Sequence, residues 1–277
     1  MKKFPFLVLL MVAMSCATVV PAPAPAQANS VQSALERKVF YQFNPQKADP
    51  KNAHPKLSAK RYKGAVIWVT PPEAGKPTIY YLPGSGGNLG TRKRKFPWFV
   101  NQGYGLVALA YPGMSGSKGL PSRKTIQSLA NSLYRDLPEY VGNGPVIIMG
   151  ESLGTGVALQ IADSKIGRQR PPLGLILQAP YTSLNDLVAA KQPAMVPLFA
   201  ARNDLWPSKR IIKRVTVPIF IMHGGSDKTV PVSMGRTLFK MSPSPNKLFV
   251  TQKAAGHTTI WSTKSLNKMK KWIAALQ

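Results

Sequence analysis

After residue 64 the chain is punctuated by seven short apolar runs, at 65–69, 78–82, 106–110, 145–149, 173–178, 217–222 and 247–251. Several are apolar at every position, as in Val146-Ile147-Ile148-Met149, which is the pattern of strands buried on both faces. Stretches of helical periodicity lie between the later runs, at 125–139, 153–164, 232–241 and 265–275. Strand–helix alternation of this kind predicts an α/β fold, with a mostly parallel central sheet covered by helices on both faces. The first runs have no helix between them, so antiparallel pairing is expected among them.

A chain of 277 residues suffices for one domain with a full core. Residues 29–63 are polar and broken by Asn44-Pro45, Asp49-Pro50 and His54-Pro55, and read as an extension ahead of a domain at 64–277. The segment 181–214 is longer than a crossover helix requires. It reads as a short cap over the C-terminal edge of the sheet; an ordinary crossover with an extra turn is the other reading.

The N-terminus reads as a leader. Lys2 and Lys3 precede an apolar stretch at 4–20, and Ala26-Gln27-Ala28 supplies the small residues of a cleavage site, predicting a signal peptide at 1–28 and export to the periplasm or beyond. Cys16, the single cysteine, lies inside it, and lipid anchoring through Cys16 is a second reading. Without Cys16, no disulfide and no thiolate chemistry remains. Lysine and arginine number 37 against 10 acidic residues, a net charge of +27. Such a surface attracts anions, and a membrane or envelope surface fits better than nucleic acid, because no aromatic-bearing nucleic-acid motif accompanies the charge. A generally basic source proteome explains the charge equally well.

Gly150-Glu151-Ser152-Leu153-Gly154 matches G-x-S-x-G. The match alone is weak, but it directly follows one buried strand and directly opens a helix. A serine on that sharp turn projects its hydroxyl above the sheet, and the helix start points its amides at a developing oxyanion. A serine nucleophile needs a base. Of His54, His223 and His257, only His257 lies in a loop between the last strand and the last helix, where it can hang over the sheet edge; His223 ends a strand before Gly224-Gly225 and reads as structural. Asp227, just past the preceding strand, is the candidate acid that orients the imidazole, with Asp204 as the alternative. The loop Pro83-Gly84-Ser85-Gly86-Gly87-Asn88 follows an early strand and precedes a helix expected near Thr91. It offers the Ser85 amide as a second oxyanion donor beside the amide of Leu153.

Together these residues resemble the α/β-hydrolase superfamily. The resemblance is nearest to its compact single-domain branch, which includes depalmitoylating thioesterases and many bacterial hydrolases. It spans 64–273 and rests on Pro83 to Leu89, Tyr111-Pro112-Gly113, Gly150 to Gly154, Ala179 to Leu184, His223-Gly224, Asp227, Val230-Pro231 and Gly256-His257. Pro83 and Ser85 stand where that branch carries histidine and asparagine around the oxyanion glycine. The resemblance implies hydrolysis of acyl esters or thioesters through an acyl-enzyme on Ser152, without metal or organic cofactor; the chain is expected to act as a monomer. A peptidase or amidase of the same fold, and a non-catalytic binding protein, are the alternatives. Within the cap, Met195, Leu198 and Phe199 are the candidate lining of an acyl pocket. Arg92-Lys93-Arg94-Lys95 follows the oxyanion loop and reads either as an anion-attracting patch or as a solvated helix start.

Overall fold

The computed structural model describes residues 34–200 and 205–277. The leader 1–28, Cys16 and Asp204 lie outside the described residues. Eight strands form one sheet: β1 (Ser58–Tyr62), β2 (Ala65–Thr70), β3 (Thr78–Leu82), β4 (Gly105–Leu109), β5 (Val146–Glu151), β6 (Gly174–Gln178), β7 (Ile219–Gly224) and β8 (Lys247–Gln252). Their order across the sheet is β1-β2-β4-β3-β5-β6-β7-β8. β1, β2 and β4 pair antiparallel, and every pair from β4–β3 onward is parallel.

The seven expected strands are all present, with ends shifted by one or two residues. β3, β4, β5 and β6 are buried at every position, as their unbroken apolar runs require. β1 falls in the stretch read as an N-terminal extension. It is an edge strand exposed at four of five positions, with Lys60 and Arg61 in its middle, so no apolar pattern marks it. Charge of this kind blunts an open edge against further pairing.

The main helices are α1 (Arg123–Asp136), α2 (Leu153–Asp163), α3 (Leu184–Lys191), α4 (Val232–Met241) and α5 (Thr263–Ala274). A capping box between Ser122 and Thr125 starts α1. It stops short of the expected 139 because Pro138 cannot donate to the helix ladder, and a separate turn, Pro138–Val141, begins there. The helix expected near Thr91 is a 3-10 turn, Leu89–Arg92, followed by the short helix Phe96–Val100. The core lies on both faces of the sheet, with Trp68, Tyr80, Tyr81, Phe96, Phe99 and Phe220 among its largest buried side chains.

The order of strands places the site. From β3 the chain passes to β4 on one side, then crosses back to β5 on the other. The loops leaving the C-terminal ends of β3 and β5 therefore diverge and open a crevice, the usual ligand position in an open parallel sheet. Leu82, the last residue of β3, is in register with Gly150 of β5, so the glycine-rich loop and Ser152 begin side by side.

Candidate active site

Ser152 joins β5 to α2 with φ 49° and ψ −114°, a left-handed conformation that a non-glycine residue adopts only when its surroundings enforce it. Two enforcing contacts are visible. Its amide donates to the Gln178 carbonyl at 2.8 Å, and its carbonyl accepts from Thr155. The flanking glycines are steric necessities. A Cβ on Gly154 would fall inside the van der Waals radius of the Leu82 carbonyl oxygen, and one on Gly150 would meet the Gly154 carbonyl. Gly154→Ala should cost about 3 kcal/mol or more in urea unfolding, since β3 and α2 must separate to admit the methyl. Stability equal to wild type would show that this approach is not tight.

Asp227 leaves the end of β7 with its side chain fully buried. Oδ1 accepts from the amides of Thr229 and Val230 at 2.8 and 2.9 Å, which closes the turn and fixes the carboxylate plane. Oδ2 accepts from His257 Nδ1 at 2.7 Å. Burial alone would raise its pKa; hydrogen bonds from His223, His257 and Val230 outweigh burial and hold the carboxyl ionised, well below the usual carboxylate range. An ionised acceptor at Nδ1 puts the imidazole proton there and leaves Nε2 free to accept a proton. His257 and Ser152 line one cavity, and among the described residues no hydrogen bond joins them.

His223 is wholly buried beneath this pair. Its Nε2 donates to the Val230 carbonyl at 2.9 Å and lies 3.4 Å from Asp227 Oδ2, so it braces the turn that carries the acid. His54 is on the surface, bonded to Asn101 at 2.8 Å.

A buried ionic cluster behind Ser152 has no signature in the sequence pattern, because its centre, Glu151, occupies a variable position of the motif. Arg92, 6% exposed, donates Nη1 to the carbonyls of Gly86 and Asn88 at 2.5 and 3.0 Å, clamping the glycine-rich loop, and its Nη2 lies 3.8 Å from Glu151. Lys95 donates to Glu151 at 2.7 Å and to Gln178 at 3.1 Å, and stands over the Trp261 ring on the loop that carries His257. The Tyr81 hydroxyl completes the shell around Glu151. Burial would raise the pKa of Glu151, but Lys95 and Arg92 draw it down to about 2. The cluster thus ties together the glycine-rich loop, the serine turn and the histidine loop.

Glu151→Gln should lower stability at pH 7 by about 3 kcal/mol, because Lys95 then stays buried without its counter-ion. A depressed carboxylate contributes stability that is present above its unfolded pKa and lost as pH falls through the folded one. The difference between wild type and variant should therefore shrink from about pH 4.5 to about pH 2, read by denaturant unfolding across that range. A difference independent of pH would remove the charge from the explanation.

Two cavities meet at Ser152. The first, about 320 Å³, is lined mainly by apolar side chains, Val39, Phe40, Tyr181, Leu184, Leu187 and Val188, and also touches Ser85 and Leu153. The second, about 710 Å³, contains Arg92, Arg94, Lys95, Glu151, His257 and Trp261. The expected cap residues do not line either. Phe199 is buried against Phe40 with ring centroids 5.2 Å apart, Leu198 is 52% exposed, and Met195 packs at the core's margin. The residues that replace them come from one face of α3 and from 39–40 in the N-terminal stretch, which only the tertiary fold brings together. Among the described residues no group of three His, Cys, Asp or Glu is arranged to hold a metal.

No family model matches the chain. Among curated proteins it is 28% identical over 190 residues to the lysophosphatidylserine lipase ABHD12 of Danio rerio, a match covering 64% of this chain and 50% of that protein. The chain thus spans about half the length of these lipase relatives. It is 30% identical over 194 residues to an uncharacterised protein of Mycobacterium tuberculosis, covering 69% of this chain and 66% of the other. Among solved structures, mouse α/β-hydrolase domain-containing protein 10 superposes with a TM-score of 0.60 at 19% identity, over 80% of this chain and 99% of that one. The Pyrococcus furiosus esterase Pf2001 superposes with a TM-score of 0.66 at 15% identity, over 86% and 97%. With its strand order, its serine turn and these relatives, the chain belongs to the α/β-hydrolase superfamily.

Proposed function

We propose that this protein is a serine hydrolase that cleaves acyl esters or thioesters through an acyl-enzyme on Ser152. The observation that carries the reading is the 2.7 Å Asp227–His257 hydrogen bond beside a serine held at positive φ. His257 Nε2 removes the Ser152 proton as Oγ attacks the acyl carbonyl carbon. The carbonyl oxygen, now anionic, is received by the amides of Leu153 and Ser85, which both border the cavity at Ser152. The ester bond then breaks, and the leaving alcohol or thiol takes the proton from His257. Water, activated by the same imidazole, frees the acyl group. Relatives named as lipases support a lipid acyl substrate.

The basic leader with its apolar stretch supports export, and the excess of lysine and arginine supports contact between a monomeric enzyme and an anionic envelope surface. Among the described residues no helix is long and apolar enough to cross a membrane. The test is labelling by a fluorophosphonate, followed by turnover of p-nitrophenyl esters of rising chain length beside matched amides. A folded wild type that neither labels at Ser152 nor turns over any ester would replace the enzyme by a binding protein. Faster turnover of amides than of esters would make it a peptidase.

A further inference from the structure

The two cavities at Ser152 differ in chemistry, and the mechanism decides which part of a substrate each receives. The leaving group must collect its proton from His257, so it lies on the His257 side. His257 borders only the larger cavity. The acyl portion extends the other way, past Leu153, into the smaller one. That smaller cavity is walled by Val39, Phe40, Leu184, Leu187 and Val188, and its only charged lining residue is the exposed Lys191. It therefore accepts a hydrocarbon chain, at a gain of about fourfold in binding per added CH₂ until full.

The leaving-group cavity has the opposite character. Three cations, Arg92, Arg94 and Lys95, face one carboxylate, Glu151. Arg92 and Lys95 are committed: their donors are held by the loop carbonyls, Glu151 and Gln178. Arg94 is exposed, and among the described residues it has neither a hydrogen bond nor an ion pair. Its planar, permanently charged fork lies exposed at the rim with no protein partner among the described residues, in a cavity whose sole lining carboxylate is already shared by its two neighbours. A guanidinium in that state pairs with phosphate or carboxylate through two parallel hydrogen bonds.

We infer that the substrate's leaving alcohol carries an anionic group, phosphate or carboxylate, which Arg94 receives while the acyl chain occupies the cavity between α3 and the 39–40 segment. The inference rests on the hydrolase reading above. It adds no new chemistry: Ser152 Oγ bonds to the acyl carbon, the carbon–oxygen bond to the leaving alcohol breaks, and the proton from Ser152 returns to that oxygen through His257. The anionic group stays intact on the released alcohol.

The test compares 1-octanoylglycerol, 1-octanoylglycerol 3-phosphate and O-octanoyl-lactate, all below their micelle concentrations, by kcat/KM. The reading is the ratio of each charged ester to the neutral one. The wild type should favour at least one charged ester by about tenfold, the effect of one charge-assisted contact at a partly exposed site. Arg94→Glu should bring that ratio to one or below, and added salt should weaken it in the wild type. Lys270→Glu, the same change of charge on the exposed face of α5, separates local recognition from the general attraction of a basic protein. A ratio of one or less in the wild type, no turnover of either charged ester, or an equal fall in both variants overturns the inference. In each of those cases Ser152-dependent cleavage of p-nitrophenyl butyrate shows that the hydrolase reading still stands. If p-nitrophenyl butyrate is not cleaved and Ser152 is not labelled, both readings fall.

Discussion

Ser152→Ala should lower kcat for a p-nitrophenyl ester by about a million-fold, with unfolding behaviour close to wild type. The size follows from the way the site is built. Removing the hydroxyl leaves His257 with no proton to take, so Asp227 and His257 lose their effect together rather than in part. What survives is the geometry of the amides of Leu153 and Ser85, which can still polarise a carbonyl toward water, worth roughly 10³–10⁴ over the uncatalysed reaction. Alanine keeps the backbone of the turn but not its ease. It also must hold φ 49°, and the same clamps at Gln178 and Thr155 enforce this. The measurement is steady-state turnover of the purified variant beside intact-protein mass spectrometry after fluorophosphonate treatment. A variant with more than a hundredth of wild-type activity would move the nucleophile elsewhere.

Asp227→Asn should lower kcat by about ten thousand-fold, and the surrounding hydrogen bonds say why. The Thr229 and Val230 amides both donate to Oδ1, so an asparagine must place its carbonyl oxygen there. Its NH₂ group is then forced to the Oδ2 position, facing His257 Nδ1. Two donors cannot share that contact. The imidazole must present a bare Nδ1 and move its proton to Nε2, where it can no longer accept from Ser152. The loss is thus one of tautomer more than of position. The checks are kcat at neutral pH and the imidazole nitrogen shifts by NMR, which should report the exchanged tautomer. Asp204→Asn should stay within about twofold of wild type. The reverse pattern, with Asp204→Asn inactive and Asp227→Asn active, would place the orienting acid in the cap.

How far the sequence carries this picture depends on where each residue's constraint comes from. β3 to β7 are legible because burial on both faces forces an unbroken apolar run. Ser152 and Asp227 are legible because each sits just beyond such a run, and His257 because it follows the last strand, in an order that puts all three at one end of the sheet. β1 is not, since an edge strand such as Ser-Ala-Lys-Arg-Tyr answers to solvent and not to the core. The clamp of Arg92, Glu151 and Lys95 is not legible either. Its members look like a solvated helix start and a variable motif position until the fold folds them inward. The apolar cavity at Ser152 is hardest of all. Phe199 is apolar enough to line it, but Phe40 occupies that place with Phe199 packed against it, and nothing local in residues 39–40 announces the meeting.

The wall that 39–40 provides is stitched to the far part of the chain. The Trp206 indole donates to the Tyr41 hydroxyl at 3.2 Å across 165 residues of sequence. During synthesis this segment emerges early: Phe43 and Asn44 can settle on Gly87 and Tyr111, but Tyr41 has no indole to meet until Trp206 has been made. Closing a loop that long carries an entropic cost that must be met before the contact returns anything, which places it among the last to form. A chain in which that contact is open lacks the 39–40 side of the cavity that Leu184 and Val188 also line. Apolar surface left open in this way favours self-association, so a segment made early needs a partner made late.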